Sequence, residues 1–187
     1  MGRILKVLKT EIPGLVVVET IERFDLRGAF SRLYCKRDLN IVIGSRQIVQ
    51  INISRTDSVG AVRGMHFQHA PHAEMKLVRC LRGRVWDVVV DIRANSPTFL
   101  KWHAQELSLE NNRMMVIPEG FAHGFQVLEP ESELLYFHTE FYEPQSEGGL
   151  RFNDPQLEIN WPIPIANLSD RDTSHPLIDS NFQGVRV

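Results

Sequence analysis

Histidines are the side chains of this sequence best suited to acid–base or metal chemistry near neutral pH, and the chain contains 7 of them. His66, His69 and His72 are evenly spaced along the chain, which could indicate a metal site. Pro71 interrupts that stretch, so we interpret His69 and His72 as loop residues exposed to solvent. His138 falls in a predicted strand, where a structural or surface role is more common than a catalytic one.

One carboxylate stands out because its position in a predicted strand is apolar. In the segment Arg84–Ile92, Asp87 shares one face with Val85 and Val89, while the other face is also largely apolar. A strand of this kind is covered on both sides, so Asp87 is expected to be buried. A buried carboxylate needs a partner, and the pattern alone leaves backbone and side-chain partners open.

Short β-strands are the elements that must position these side chains. Segments rich in Val, Ile, Phe and Leu alternate with turn residues at intervals of about 8–12 residues, which is typical of a β-sandwich or barrel. The segments are Gln47–Ser54, Val62–Gln68, Lys76–Arg82, Arg84–Ile92, Leu100–Leu107, Arg113–Ile117, His123–Leu128 and Glu133–Phe141. Helical periodicity is weak and confined to Leu168–Ile178. No repeat or linker divides the chain, so residues 1–187 are expected to form a single domain.

Composition and charge exclude several classes of function. The 21 basic and 23 acidic residues leave a net charge of −2, so no overall field attracts nucleic acid or an anionic membrane, and we expect neither as a partner. The longest apolar run near the N-terminus, Leu15–Val18, is too short for a signal peptide or a membrane span, which favours a cytoplasmic location. The cysteines, Cys35 and Cys80, are expected to be reduced.

Two short motifs resemble those of the cupin superfamily. Pro118-Glu-Gly-Phe-Ala-His123-Gly is similar to the second cupin motif, and Gly64–Gln68 occupies the place of the first. Gln68 stands where that first motif carries its second histidine. Because His66, His123 and Gln68 are a poor ligand set for a first-row metal, we expect a cupin without a metal or other cofactor. The resemblance implies an all-β cupin double-stranded β-helix, a jelly-roll sandwich with a few short helices near the C-terminus.

A longer series of motifs resembles the dTDP-4-dehydrorhamnose 3,5-epimerase family, from about Gly14 to Asp179. The motifs occur in the family's order: Arg63-Gly-Met-His-Phe-Gln68, Lys76-Leu-Val-Arg79, Trp86-Asp-Val-Val-Val-Asp-Ile-Arg93, Ser96-Pro-Thr-Phe99, Leu107-Ser-Leu-Glu-Asn111, Ile117-Pro-Glu-Gly-Phe-Ala-His-Gly-Phe125, Glu147-Gly and Asn153-Asp-Pro155. The resemblance implies an isomerase that acts on a nucleotide-linked 4-keto-6-deoxyhexose. The C3 and C5 protons of such a sugar are both alpha to the C4 ketone, so inversion needs a base, an acid on the opposite face and a cation for the enolate oxygen.

The resemblance assigns these catalytic roles to four residues. His66 matches the base and Asp172 the carboxylate that orients it. Tyr136 matches the proton donor, and Lys76 matches the residue that stabilises the enolate oxygen. Judged without the motifs, Tyr136 would be read as a strand tyrosine with a hydrogen-bonded hydroxyl, Lys76 as a surface lysine and Asp172 as a cap or turn residue.

The resemblance also supplies a second His–Asp pair and a set of substrate contacts. Asp87 is implied to support His123, which would provide the partner of the buried carboxylate. The implied substrate-binding residues are Arg27, Gln50, Asn52, Arg63, His123, Tyr142, Glu147 and Arg171. The arginines at 27 and 63 match diphosphate contacts, since a planar guanidinium suits phosphate oxygens.

Three of these assignments carry structural expectations. Tyr142 matches the residue that stacks on the nucleobase and is expected on the same strand face as Tyr136. The N-terminal strands are implied to cross to a partner subunit, so that Arg27 serves the neighbour's site in a homodimer. Arg63 and His66 would face opposite sides of a regular strand, so we predict a bulge or similar irregularity near Gly64.

Two departures from the family pattern leave the identity of the substrate's nucleobase open. Gln50-Ile51-Asn52 stands where thymidine-specific members have Gln-Asp-Asn, and Arg32 replaces a glutamate. A CDP- or GDP-linked sugar and inversion at C3 alone therefore remain alternatives. A ketoisomerase is a third alternative, against which Tyr136 argues. A non-catalytic sugar-nucleotide-binding cupin would bind without proton exchange, and a metal-dependent cupin dioxygenase would carry stoichiometric metal.

Overall fold

The computed structural model describes residues 5–187, and nearly all of its regular structure is antiparallel β-sheet. The strands, in chain order, are β1 (Leu5–Lys9), β2 (Val16–Thr20), β3 (Arg23–Asp25), β4 (Gly28–Phe30), β5 (Gln50–Thr56), β6 (Val62–Gln68), β7 (Lys76–Arg82), β8 (Arg84–Asp91), β9 (Trp102–Ser108), β10 (Arg113–Ile117), β11 (Phe121–Val127), β12 (Ser132–His138) and β13 (Glu147–Gly149). The helices are α1 (Lys36–Ile43) and α2 (Asp170–Ser174), with a 3-10 turn at Pro144–Ser146.

Two large sheets form the body of the protein. One has the strand order β1-β2-β10-β7-β12-β5 and the other β13-β6-β11-β8-β9, while β3 and β4 form a separate hairpin. Between the large sheets, Val78 and Leu134 of the first pack in one buried cluster with Val89 and Phe125 of the second. This is a β-sandwich, as the strand spacing predicts, and a cupin-like jelly roll, as the resemblance implies.

The outer face of each large sheet is also covered, which explains why the strands have apolar residues on both faces. Leu39 and Ile43 of α1 pack on Leu77 and Met114 of the six-stranded sheet. On the five-stranded sheet, Val88 packs with residues of the C-terminal part of the chain: Leu150, Leu157 and Ile178. The parity assigned to β8 is confirmed, because Val85 and Val89 lie in the central cluster and Val88 in the outer one.

Several element boundaries differ from those predicted. The strands β6, β7 and β10 have the predicted ends, but β12 ends at His138 rather than at residue 141. The longer helix α1 lies in the N-terminal part of the chain, whereas helices were expected only near the C-terminus. Only Leu39 and Ile43 of this helix are buried. Two buried residues give too weak a helical periodicity for the helix to be predicted from the sequence.

Among residues 5–187, no helix is long and apolar enough to cross a membrane.

Candidate active site

A cavity of about 980 Å³ lies between the two large sheets. Strands β5, β7 and β12 line it on one side and β6 and β11 on the other, and residues next to and within α2 contribute the rest of its lining. The lining residues are Asn52, Ile53, Ser54, Arg55, Thr56, Asp57, Ser58, Ala61, Val62, Arg63, His66, Lys76, His123, Phe125, Tyr136, His138, Asn167, Leu168, Ser169, Arg171 and Asp172. All four predicted catalytic residues are in this set.

His66 and Asp172 form a hydrogen-bonded pair although they come from distant parts of the chain. The His66 Nε2 atom lies 2.6 Å from Asp172 Oδ1, and the backbone N–H of Gly64 donates to Asp172 Oδ2 at 3.3 Å. Ser169 caps α2 by accepting a hydrogen bond from the Asp172 backbone, which fixes the start of the helix. Burial opposes ionisation of Asp172, but the hydrogen bond and charge of His66 outweigh it and lower the pKa of the carboxyl. An ionised carboxylate is therefore available to orient the imidazole.

The strand that carries His66 is irregular at Gly64, as predicted. Pairing with β11 matches His123 to His66 but Phe125 to Arg63, so β6 contains one extra residue between these points. Gly64 has φ +125°, and a Cβ there would lie 2.5 Å from the Gly124 Cα atom. The bulge lets Arg63 and His66 line the same cavity.

Tyr136 reaches the cavity from the sheet opposite His66. Its hydroxyl lies 2.9 Å from Ser54 Oγ on the neighbouring strand β5. Burial raises the pKa of Tyr136 well above its ordinary value, and the hydrogen bond with Ser54 only partly offsets this. The phenol therefore stays protonated across the physiological range and can act as a proton donor.

The second predicted pair is also present, between β11 and β8. His123 Nε2 lies 2.8 Å from Asp87 Oδ1, so a side chain is the partner of the buried carboxylate. Burial raises the pKa of Asp87 despite the opposing effect of His123. The His123 ring lies edge-on to Tyr136, with 6.3 Å between ring centroids, and so forms part of the cavity wall beside the proposed proton donor.

Lys76 lies in a buried polar cluster that the sequence analysis did not identify. Its Nζ is 3.0 Å from Glu74 Oε1, and the other Glu74 oxygen is 2.6 Å from His138 Nδ1. His138 Nε2 in turn lies 3.3 Å from the Asn52 side-chain amide. Strand parity could have found His138, because it lies two residues after Tyr136 and thus on the same face of β12.

The predicted substrate contacts divide into two groups. Asn52, Arg63, His123 and Arg171 line the cavity, whereas Arg27, Gln50, Tyr142 and Glu147 are not among its lining residues.

Three residues of the second group, Gln50, Tyr142 and Glu147, belong to a hydrogen-bonded chain of residues. That chain ends at Arg171, which lines the cavity. The Tyr142 hydroxyl donates to Glu147 at 3.1 Å, and Glu147 also pairs with Arg171. The Tyr142 backbone N–H donates to the side chain of Gln50 at 3.2 Å. The expectation that Tyr142 shares a strand face with Tyr136 is wrong, because β12 ends before it and Tyr142 lies in the following loop.

Arg27 lies apart from the cavity, in the β3–β4 hairpin. Its side chain is 90% exposed and pairs with Asp25 at 2.6 Å within that hairpin. Within the described chain it therefore does not contact the other site residues.

The donor atoms near His66 are poorly arranged to hold a metal. His66, Asp172 and His175 offer ligand atoms within 4.8 Å of one another. His66 and Asp172 are, however, hydrogen-bonded at 2.6 Å, closer than the roughly 3.3 Å that separates two donors on a tetrahedral zinc ion. Gln68 donates to the backbone carbonyls of His72 and Phe141 and accepts from Glu143, so its amide is fully used by the fold.

Comparisons with known proteins identify the family to which the chain is similar. A family model described as dTDP-4-dehydrorhamnose 3,5-epimerase matches residues 9–180. The chain is 41% identical to the dTDP-4-dehydrorhamnose 3,5-epimerase of Shigella flexneri, over 95% of this chain and 99% of that one. It is 43% identical to the enzyme of that name from Salmonella typhimurium, over 92% and 95%. A solved structure of a dTDP-6-deoxy-D-glucose-3,5-epimerase from Legionella pneumophila, in complex with dTDP-4-keto-L-rhamnose, superposes with a TM-score of 0.91 at 38% identity and covers 98% of each chain.

Proposed function

The chain belongs to the dTDP-4-dehydrorhamnose 3,5-epimerase family, and we propose that it inverts C3 and C5 of a dTDP-linked 4-keto-6-deoxyhexose. It is therefore an isomerase. The observation that carries this proposal is that a histidine–carboxylate pair and a protonated tyrosine enter one cavity from opposite sheets. A base and an acid on opposite sides of a planar enolate are what inversion requires, whereas a protein that only binds sugar nucleotides has no need of them.

In the proposed mechanism, His66 removes the proton from the carbon next to the C4 ketone. Asp172 keeps the accepting nitrogen oriented and stabilises the imidazolium that forms. The electron pair moves to the ketone oxygen, and Lys76 stabilises the resulting enolate charge. Tyr136 then delivers a proton to the opposite face of the same carbon, which inverts the centre. His123, supported by Asp87, forms the wall beside Tyr136, and the reaction draws on no metal or other cofactor in this scheme.

Substrate is proposed to be held by the charged residues of the cavity. Arg63 and Arg171 offer guanidinium groups to the diphosphate, and Asn52 offers an amide to the nucleoside. Tyr142 and Glu147 adjoin Arg171 through the hydrogen-bonded chain described above, where Tyr142 can stack on the base and Glu147 can orient the arginine. The two departures from the thymidine pattern differ in their surroundings: Arg32 pairs with Asp38 at 3.3 Å, and Ile51 is 59% exposed. What supports dTDP as the nucleotide is the family: the relatives are named for a dTDP-linked substrate, and the Legionella pneumophila structure holds dTDP-4-keto-L-rhamnose.

The chain is further proposed to act as a single-domain cytoplasmic homodimer in which N-terminal strands are exchanged. Exposed apolar side chains support the dimer, since large exposed apolar groups mark interaction surfaces. On the β3–β4 hairpin these are Phe24, Leu26 and Phe30, and on the edge strand β5 they are Ile51 and Ile53. A hairpin docked on a partner would place Arg27 in the partner's cavity.

Proton exchange in D₂O, followed by NMR, tests the proposed reaction. With dTDP-4-keto-6-deoxyglucose as substrate, wild type should introduce deuterium at both C3 and C5, and His66→Ala should not. His69→Ala is the matched control, because this exposed histidine lies outside the cavity, and it should behave as wild type. Label at C3 alone would indicate a C3 epimerase. If dTDP-, CDP- and GDP-linked keto-sugars all bind without exchange, the protein is a binding cupin and the proposal is wrong.

A further inference from the structure

Glu74 is a buried carboxylate beside the cavity that the proposed mechanism does not use. It does not line the cavity, and its side chain is only 8% exposed. It precedes β7, where the backbone N–H of Met75 donates to Thr139 Oγ1 at 2.9 Å and the N–H of Thr139 donates to the Met75 carbonyl at 3.1 Å. These bonds tie the residue after Glu74 to the end of β12, so the carboxylate has a fixed position.

From that position Glu74 contacts two cationic or potentially cationic groups that do line the cavity. Lys76 and His138 are cross-strand partners on β7 and β12, and the two Glu74 oxygens lie 3.0 Å and 2.6 Å from Lys76 Nζ and His138 Nδ1. Burial opposes ionisation of Glu74, but the hydrogen bond from His138 and the charge of Lys76 outweigh it and lower the pKa of the carboxyl. Glu74 is thus charged at neutral pH.

The Lys76 ammonium needs this carboxylate in order to remain where it is. The lysine side chain is 12% exposed, and a largely desolvated ammonium without a counter-charge moves towards water. A lysine side chain also has four rotatable bonds, so an unpaired ammonium would sample many positions. Either change would reduce its ability to stabilise charge that develops at one point in the cavity.

We propose that Glu74 is a positioning residue for the epimerase reaction, which acts through Lys76 by holding its ammonium where the enolate oxygen forms. Glu74 itself does not touch the substrate. This inference rests on the proposed function, because it assigns Lys76 the enolate-stabilising role.

A double-mutant cycle tests whether Glu74 acts through Lys76. Glu74→Gln keeps the shape and removes the charge, and it should lower kcat about tenfold or more while KM changes less than about threefold. In a Lys76→Ala background the same substitution should have no further effect on kcat. Glu74→Asp, which restores a carboxylate, should recover part of the lost rate. Glu19→Gln is the matched control, since it weakens a partly exposed ion pair with Arg113, neither residue lines the cavity, and kcat should stay unchanged.

Two results would overturn the proposal. Either an unchanged kcat in Glu74→Gln, or an equal loss in the wild-type and Lys76→Ala backgrounds, would show that Glu74 does not act through the lysine. A second measurement needs no substrate: the paired Lys76 ammonium should give a resolved ¹⁵N NMR signal that is absent from Lys76→Ala and lost in Glu74→Gln. Persistence of that signal in Glu74→Gln would also contradict the proposal. If wild type shows no proton exchange but the signal behaves as expected, the proposed function fails while the Glu74–Lys76 contact stands.

Discussion

Tyr136 is the residue whose surroundings most narrowly define its chemistry. Its phenol is buried, bonded to Ser54 and held protonated by the raised pKa, so it can give a proton but cannot readily serve as a base. We therefore expect Tyr136→Phe to separate the two halves of the reaction. Deuterium exchange by His66 should continue, whereas inverted product should form at least about a hundredfold more slowly.

Exchange and product can be followed in one NMR experiment with Tyr136→Phe. The matched control is Tyr34→Phe, because Tyr34 stacks on Phe137 on the outer face of the six-stranded sheet and lies outside the cavity. If Tyr136→Phe retains full epimerisation, another group donates the proton and the role proposed for the tyrosine is wrong.

The contribution of the His66–Asp172 pair to the stability of the fold depends on pH through the ionisation of Asp172. Because the pKa of Asp172 is lowered in the folded protein, its charged form contributes to stability above the ordinary aspartate range, near pH 4, and this contribution is lost as pH falls through the lowered value. Asp172→Asn should therefore reduce the free energy of unfolding at pH 7 but matter less and less below about pH 4. It should also lower kcat about tenfold or more, since an amide no longer stabilises the imidazolium.

Denaturant unfolding of wild type and Asp172→Asn at several pH values measures the difference in stability. Asp170→Asn, two residues earlier on the exposed side of α2, is the control and should show little change. A stability difference that grows towards acid pH would contradict the lowered pKa of Asp172.

At the level of single residues, sequence analysis identified the proposed catalytic groups and the carboxylates paired with His66 and His123, but not Glu74, the carboxylate paired with Lys76. His66, Tyr136, Lys76 and Asp172 all lie in the cavity, as the resemblance implied. Glu74 was missed because its importance depends on two strands meeting at residues 76 and 138, a contact that no local pattern displays.

At the level of elements, the bulge in β6 determines whether the site can form. Gly64→Ala would place a Cβ 2.5 Å from the Gly124 backbone at a φ that side chains disfavour, so either the strand must move or the fold must lose stability. We expect a loss of about 3 kcal/mol in the free energy of unfolding together with loss of activity.

Gly28→Ala is the matched control for the bulge, since Gly28 also has a positive φ, +135°, but no atom lies within 4 Å of the point that a Cβ would occupy there. Gly28→Ala should lower the free energy of unfolding by only about 1 kcal/mol, because it introduces backbone strain but no steric clash. Equal losses of stability in the two variants, measured by denaturant unfolding, would show that close packing at β6 is not what selects glycine.

Sequence analysis located an element correctly where the local order of residues determines it, and incorrectly where contacts with distant strands determine it. The bulge was predicted because two cavity residues an odd number of positions apart cannot share a face of a regular strand. The end of β12 was placed too late because the apolar and aromatic pattern continues through Phe141, although the chain leaves the sheet after His138. Only the pairing of β12 with its neighbours, which is non-local, marks where the strand stops.

At the level of the whole molecule, the cavity of one chain lacks one predicted phosphate contact. Arg27 lies on a hairpin with three exposed apolar residues, and the edge strand β5 beside the cavity exposes two more. A second copy of the chain, related by a two-fold axis, would cover the hairpin and the edge strand of each copy in one symmetric dimer. Light scattering should then give a mass about twice 21.5 kDa.

A mixed dimer tests whether the arginine works across the interface. Arg27→Ala and His66→Ala homodimers should each be nearly inactive at low substrate concentration, the first through lost phosphate binding and the second through the lost base. If Arg27 serves the neighbour's cavity, a heterodimer of the two variants, co-expressed with different affinity tags and purified on both, contains one complete site. It should therefore regain about half of the wild-type activity per dimer. If Arg27 serves its own chain, every site in the heterodimer lacks either the arginine or the histidine, and no activity should return. Recovery would mean that the two active sites exist only in the assembled pair, whereas its absence would confine the catalytic unit to one chain.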